Sequence, residues 1–470
     1  MTPSRPAPAS APGRVPPATG RPPRAGQTVT LTFRAMDPEG KAVGAVGGHL
    51  IAVPFSIPGE EAVVQIVRGG RPAEGRIVTL LRKSAHAATP PCRHFGVCGG
   101  CQWQHLTYGA QLQHKTALVR DALVRVLDGA GGEIRPAVGA GPWEYRNRLQ
   151  AVFAVRRDRL VAGYHAATED LRVINVRECP IQQAGNVAAL EAAREVVARL
   201  DLPVYDHASR RGLARGAIVQ SGATTGEVMV ILSTVGELPD RMEYVRRMRE
   251  AVPRLVSLIL SVQPRRSPEP LGRLTLLWGR PYIEEEVAGL QWRLYAAPSM
   301  PPNPRAVPLW LDAVRTALAA DGGDAVMDVA CEDGLVPLWL APRVGRVVGI
   351  APTREAMHRA WEHARINGIE NCVFYTRDPA RVIEKLRARG ERLDAAVVAS
   401  RRAPLDGKIV AALAAAGVRR LALTGSSLRL LEADLLAARS GGFTVTAVQP
   451  VDLLPQTSRV HCVVALRRAG

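Results

Sequence analysis

Residues 325–367 read AVMDVACEDGLVPLWLAPRVGRVVGIAPTREAMHRAWEHARIN and alternate between two hydrophobic periods. Short apolar runs of strand length, AVMDVA and RVVGIA, are each followed by a stretch whose apolar residues recur at helical spacing. The alternation continues with CVFYT and RVIEKLRARG, LDAAVVA and a further helix, then RLALTG and LRLLEADLLAARSG. Hydrophobic runs at 443–448 and 460–466 close the chain. Parallel strands need a crossover connection, so this order predicts a doubly wound parallel sheet over residues 296–470.

The chain has 470 residues, which at about 150 residues per domain leaves room for two further domains upstream. Residues 1–25, MTPSRPAPASAPGRVPPATGRPPRA, read as a disordered basic tail. Over 26–85 the runs TVTLTF, HLIAVPFSI, EAVVQIV and GRIVTLL are separated by turn signals at 37–40, 58–59 and 69–70, which predicts a small β-barrel. Residues 86–295 are α+β, with helical periodicity over 111–127 and 186–200 and β-rich pieces at 149–155 and 218–232. The whole reads as an α/β multidomain protein. Glycines at 40, 44, 47 and 48, followed by a strand ending Pro58-Gly59-Glu60, resemble the TRAM domain, a small OB-like RNA-binding barrel.

Lys and Arg number 61 against 43 Asp and Glu, a formal charge of +18. That surplus calls for a polyanionic partner, a nucleic acid or an anionic membrane. No apolar run approaches the roughly 20 residues a membrane span needs, and the N-terminus has no apolar signal region. We therefore expect no membrane association, a cytoplasmic location and a nucleic-acid partner. A hydrophobic content of 47% excludes a wholly disordered protein, and a chain this long folds as a monomer without needing a partner for its core.

Three of the seven cysteines fall within ten residues, as Cys92-x5-Cys98-Gly99-Gly100-Cys101. Three thiolates on a glycine-freed loop can wrap one soft metal centre, and Cys179, followed by Pro180, supplies a fourth ligand. Zinc is the competing occupant, but zinc knuckles usually come as two close Cys pairs and only one exists here. A Cys-x3-Cys-x2-Cys radical motif does not match this spacing.

The stretch PCRHFGVCGGCQWQHLTYGAQLQHK (91–115), the run Tyr145-Arg146-Asn147-Arg148 and Glu178-Cys179-Pro180-Ile181 resemble the RNA uracil-C5 methyltransferases over nearly the whole chain after the tail. The resemblance implies a TRAM domain, a central domain whose Cys92, Cys98, Cys101 and Cys179 hold a [4Fe–4S] cluster, and a Rossmann-like domain for S-adenosyl-L-methionine. It also implies a structured RNA partner, rRNA or tRNA. By position, Arg146 and Arg148 in the Tyr-Arg-Asn segment and the pair Arg401-Arg402 are candidates for phosphate contacts, with a solvated charged face as the alternative.

Uracil C5 is a weak nucleophile. A cysteine thiolate adds to C6, C5 takes the methyl group, and a base removes the C5 proton from a flipped-out nucleotide. The family places that cysteine in a Ser-Cys-Asn-Pro motif after a late strand, where this chain has Gly425. His461 stands at the position of the base, and Ala399-Ser400-Arg401-Arg402 replaces an Asp-Pro-Pro-Arg motif. In the cofactor turn Asp328 and Gly334 are kept, but Glu332 occupies the first glycine. Ala351 replaces the ribose-binding acid, Ser299-Met300-Pro301-Pro302-Asn303 lacks the family's glutamine, and Asp378 is left to meet an adenine or to cap a helix. Cys462 adjoins His461, but neighbours on a strand face opposite ways, so both cannot face one pocket. The expected protein is a non-catalytic, RNA-binding relative, with an active S-adenosylmethionine-dependent RNA methyltransferase of divergent active site as the alternative.

Overall fold

The structure is a computed structural model describing residues 21–127, 131–167, 172–264, 266, 269–297, 299–399 and 403–469. The tail up to position 20 and the Arg401-Arg402 pair lie outside the described residues.

The alternating region folds as read, except that its last strand joins the otherwise parallel sheet antiparallel. Its strands are β1 (Ala325–Asp328), β2 (Arg346–Ile350), β3 (Cys372–Tyr375), β4 (Ala395–Ala399), β5 (Arg420–Gly425), β6 (Phe443–Asp452) and β7 (His461–Arg468). They pair in the order β3-β2-β1-β4-β5-β7-β6. β1 to β5 are mutually parallel, whereas β7 runs antiparallel to both β5 and β6. Short strands at Glu133–Ile134 and Val138–Gly139 extend the edge beyond β6.

The helices are α1 (Val307–Leu318), α2 (Leu335–Leu340), α3 (Arg354–Ile366), α4 (Pro379–Ala388), α5 (Gly407–Ala415) and α6 (Leu428–Ser440). Strand alternation sorts the core onto two faces. Val326, Val347 and Val397 pack with α1 to α3, while Met327, Val348 and Ala396 pack with α4 to α6. The Thr353, Asp378, Asp406 and Ser427 side chains each accept a backbone N–H at a helix start. Strand order reverses between β1 and β4, which opens a crevice at the carboxyl ends of these strands.

Upstream, a seven-stranded sheet from Arg148–Arg156 to Arg273–Gly279 carries helices Ala184–Arg199 and Arg241–Ala251, followed by the hairpin Tyr282–Val287 and Leu290–Tyr295. One apolar cluster runs from Ile218, Ile231 and Ile259 of that sheet through Trp292 to Leu311 and Val463, so the packing does not break near residue 295. Chain contacts accordingly gather 97–100, 115–455 and 459–470 into one compact unit.

The other unit comprises the described residues up to Gly96 with Cys101–His114 and Gln456–Ser458. Its six strands, between Thr28–Thr32 and Ala73–Arg82, form one sheet whose pairing includes a parallel step between His49–Val53 and Ala73–Arg82. Trp103 is fully buried and donates its indole N–H to the Gly40 carbonyl at 3.0 Å. Gly40 has φ of +87°, and a Cβ there would lie 3.0 Å from that indole nitrogen, so glycine is required.

Candidate active site

The turn after β1 is where a nucleotide cofactor would meet backbone. Asp328 is 3% exposed and its Oδ1 accepts the Ala330 N–H at 3.0 Å, which folds the turn back on itself. Gly334 has φ of +93°, and a Cβ there would come within 3.0 Å of the Ala360 Cβ on α3. Glu332 sits at φ of +49°, a conformation that suits glycine, the residue this turn normally carries. Burial raises the pKa of Asp333, whose carboxyl lies 3.7 Å from Arg359. Just after β2, Ala351 is 2% exposed and offers no side-chain acceptor for ribose hydroxyls. Asp378 caps α4, accepting the Arg381 N–H at 3.0 Å. Of the three expected cofactor contacts, Asp328 and Gly334 therefore lie on the turn, and Asp378 is used as a helix cap.

Beside the ends of β5 and β7 lies a cavity of about 390 Å³, large enough for a nucleobase, lined in part by Met300, Trp310, Gly425, Leu454 and His461. Trp310 donates its indole N–H to Thr424 Oγ1 at 2.9 Å, and the same oxygen lies 2.7 Å from His461 Nε2. Indole nitrogen can only donate, so Thr424 Oγ1 is the acceptor there, and the hydroxyl can meet His461 Nε2 either with its proton or with its second lone pair, according to the imidazole tautomer. Trp310 meets the His461 ring edge-on at 5.7 Å. Sequence reasoning singled out neither Trp310 nor Thr424; a threonine preceding Gly425 on a buried strand carried no sign of this role.

Gly425 pairs with Cys462 across β5 and β7. Cys462 is 0% exposed and packs in the α4–α6 core, opposite the cavity that His461 faces, as strand alternation requires. Burial pushes its thiol up to about 12. Cys372 is likewise raised to about 12 and Cys331 is raised as well, both by burial, which leaves these thiols unreactive. Among the described residues no cysteine lines this cavity. Its floor is anchored by Lys115, fully buried with its Nζ 2.5 Å from Asp452 Oδ1 and 3.1 Å from the Leu454 carbonyl.

Cys92, Cys98, Cys101 and Cys179 are all half-buried, unlike the other three cysteines. Cys98 and Cys179 both act on the Tyr164 hydroxyl, whose pKa is raised first by burial and then by these thiols. Cys92 and Cys101 belong to one compact unit, and Cys98 and Cys179 to the other. Among the described residues, no group of three or more His, Cys, Asp or Glu side chains is arranged to hold a metal ion. The donor chemistry suits a cluster, and no chemical step is routed through one.

An uncharacterized RNA methyltransferase of Halalkalibacterium halodurans is 30% identical over 442 residues, covering 93% of this chain and 96% of that protein. The chain belongs to the RNA methyltransferases. A relative of the same description from Bacillus cereus is 29% identical over 445 residues, covering 94% of this chain and 96% of its own. No protein-family model matches. The tRNA (uracil-54, C5)-methyltransferase of Pyrococcus abyssi, solved with S-adenosyl-L-homocysteine, superposes with a TM-score of 0.74 at 22% identity, covering 93% of this chain and 99% of that one. This RNA methyltransferase thus has the mixed α/β, several-sheet fold of that enzyme. No helix among its described residues is long and apolar enough to cross a membrane.

Proposed function

We propose that this RNA methyltransferase relative binds structured RNA, tRNA or rRNA, without catalysing uracil-C5 methylation. The reading is carried by the cavity beside β5, where Gly425 stands at the place of the nucleophile and no cysteine lines the wall. The covalent route needs a thiolate at uracil C6, and glycine has no atom to supply one. His461 is poorly suited to replace the family's base, because its Nε2 is already engaged in a hydrogen bond with Thr424 Oγ1. S-adenosylmethionine would supply the methyl group, and Asp328 and Gly334 would frame its turn. Glu332 and Ala351 do not fit the rest of that site, so cofactor binding is proposed to be lost.

The N-terminal six-stranded unit is proposed as a TRAM-type RNA-binding barrel, in keeping with the charge of +18. Cys92, Cys98, Cys101 and Cys179 are proposed to hold a [4Fe–4S] cluster in the anaerobically purified protein. Iron and sulfide analysis tests that assignment, and zinc without iron overturns it. A second reading, methylation at a more nucleophilic atom by a non-covalent route, is favoured by the formed cavity with its oriented imidazole. Mass spectrometry of methylated nucleosides in total RNA, with and without the gene, decides between them. Unchanged profiles support the non-catalytic reading, and loss of one methylated nucleoside overturns it.

A further inference from the structure

A groove of about 750 Å³ lies between α3 and the edge strand Arg273–Gly279 of the central sheet. That is within the roughly 300–1,000 Å³ of clefts that take small ligands. One wall is apolar and includes Leu274 and Leu276. Two residues apart on a strand, they point off the same face, and they are 43% and 45% exposed. The opposite wall is a stripe of α3, in which His358, Trp361 and Arg365 follow at helical spacing.

Trp361 is the unusual residue. It is 41% exposed, and among the described residues no other Phe, Tyr or Trp is exposed. The packing of α3 does not need it, because Ala356, Ala360, His363 and Ala364 carry the buried face. Its ring meets Phe374 on β3 edge-on at 5.1 Å, which braces it as a fixed wall of the groove. The carboxylates of the groove are already matched: Glu362 by Arg293 and the Tyr295 hydroxyl, Glu355 by Arg359. His358 and Arg365 are exposed, and among the described residues neither has a carboxylate partner. The polar groups left over beside the indole are therefore donors, a ring N–H and a guanidinium fork.

We propose that this groove seats an unpaired nucleotide of an RNA strand, its base stacked on Trp361 and its phosphate on Arg365 and His358. An aromatic plate beside basic side chains holds single strands with little regard to sequence, because every base has a π-face. The net charge of +18 favours a polyanion over a second copy of the chain, which would bring like charge to the groove. The site rests on the RNA-binding reading above and adds a requirement for a single-stranded segment. None of its residues is among the RNA or cofactor contacts suggested by the sequence.

A blunt RNA hairpin, and the same hairpin with an unpaired oligouridine tail, are titrated into the full-length protein and followed by anisotropy and tryptophan fluorescence. The wild type should bind the tailed hairpin about tenfold more tightly than the blunt one, and only the tail should quench the indole emission. Trp361→Ala and Arg365→Glu should each remove most of that gain, and Arg365→Glu covers the case in which Trp361→Ala does not fold. Trp361→Phe keeps a stacking face, so it should retain most of the gain and lose the quench. An equal gain in wild type, Trp361→Ala and Arg365→Glu overturns the site while leaving the RNA-binding reading in place. A wild type that binds neither hairpin overturns both. Uridine monophosphate bound as tightly as the tail would make this a small-molecule site, and a wild-type dimer that Trp361→Ala makes monomeric would make it an interface between copies. Either result overturns the proposal.

Discussion

Acid should destabilise this protein through His363 in a defined pH window. The ring is 0% exposed and stacks on Trp292 at 3.7 Å. Its Nε2 accepts the Arg293 backbone N–H at 3.1 Å, so Nδ1 carries the proton and donates to the Asp333 carbonyl at 3.1 Å. Protonation must place a second hydrogen on Nε2, which breaks the Arg293 bond and buries a charge. Burial is the main cause that lowers the pKa from 6.5 to about 4, with the Asp333 carbonyl and Glu362 opposing it. Between those values the unfolded chain binds a proton that the folded chain refuses. Stability is therefore full above pH 6.5 and falls as the pH drops toward 4. The gap corresponds to about 3 kcal/mol when fully developed. Guanidinium unfolding from about pH 7 to about pH 4.5, on wild type and His363→Gln, measures it. Glutamine can keep both hydrogen bonds but does not titrate. His105 and His114, each also held down to about 4 by burial, contribute equally to both proteins. The wild type should lose more stability on acidification than His363→Gln, and parallel curves would refute the reasoning.

Thr424→Val keeps the shape but removes the acceptor of the Trp310 indole and the His461 bond, so it should cost about 2–3 kcal/mol in denaturant unfolding. Combined with Trp310→Phe, the loss should fall short of the sum by about 1 kcal/mol, and strict additivity would contradict the shared bond. Lys115→Met leaves Asp452 charged in a fully buried site and should cost about 3–5 kcal/mol, most of it recovered by adding Asp452→Leu. A cost under about 1 kcal/mol for the single change would show that the pair is not buried as described. Glu332→Gly relieves a left-handed backbone and should stabilise by about 1 kcal/mol; a lower Tm would count against strain at that position.

The C-terminal sheet was legible because its central strands β1, β2 and β4 read as near-continuous apolar runs, the pattern of a sheet covered on both faces, as Val326 and Met327 show by pointing into different cores. The opposed orientation of His461 and Cys462 was legible for the same reason, since strand alternation is a rule of two residues. Asp378 could be read either as a cap or as a ligand, and its bond to the Arg381 N–H shows the cap. The interactions that shape the cavity beside β5 join residues remote in sequence: Trp310 with Thr424 and Lys115 with Asp452. Such pairs leave no local pattern, because either partner alone is an ordinary helix or strand residue.

Whether any thiolate of this protein reaches a target uracil can be read with RNA carrying 5-fluorouridine, incubated with the protein and S-adenosylmethionine and run on a denaturing gel. Fluorine at C5 cannot leave as a proton does, so an enzyme that attacks C6 stalls as a covalent protein–RNA adduct. With Gly425 at the nucleophile position and Cys462 buried on the opposite face, no slow-migrating adduct should form. A heat-stable adduct carrying the methyl group would contradict this and restore the protein to the covalent uracil methyltransferases.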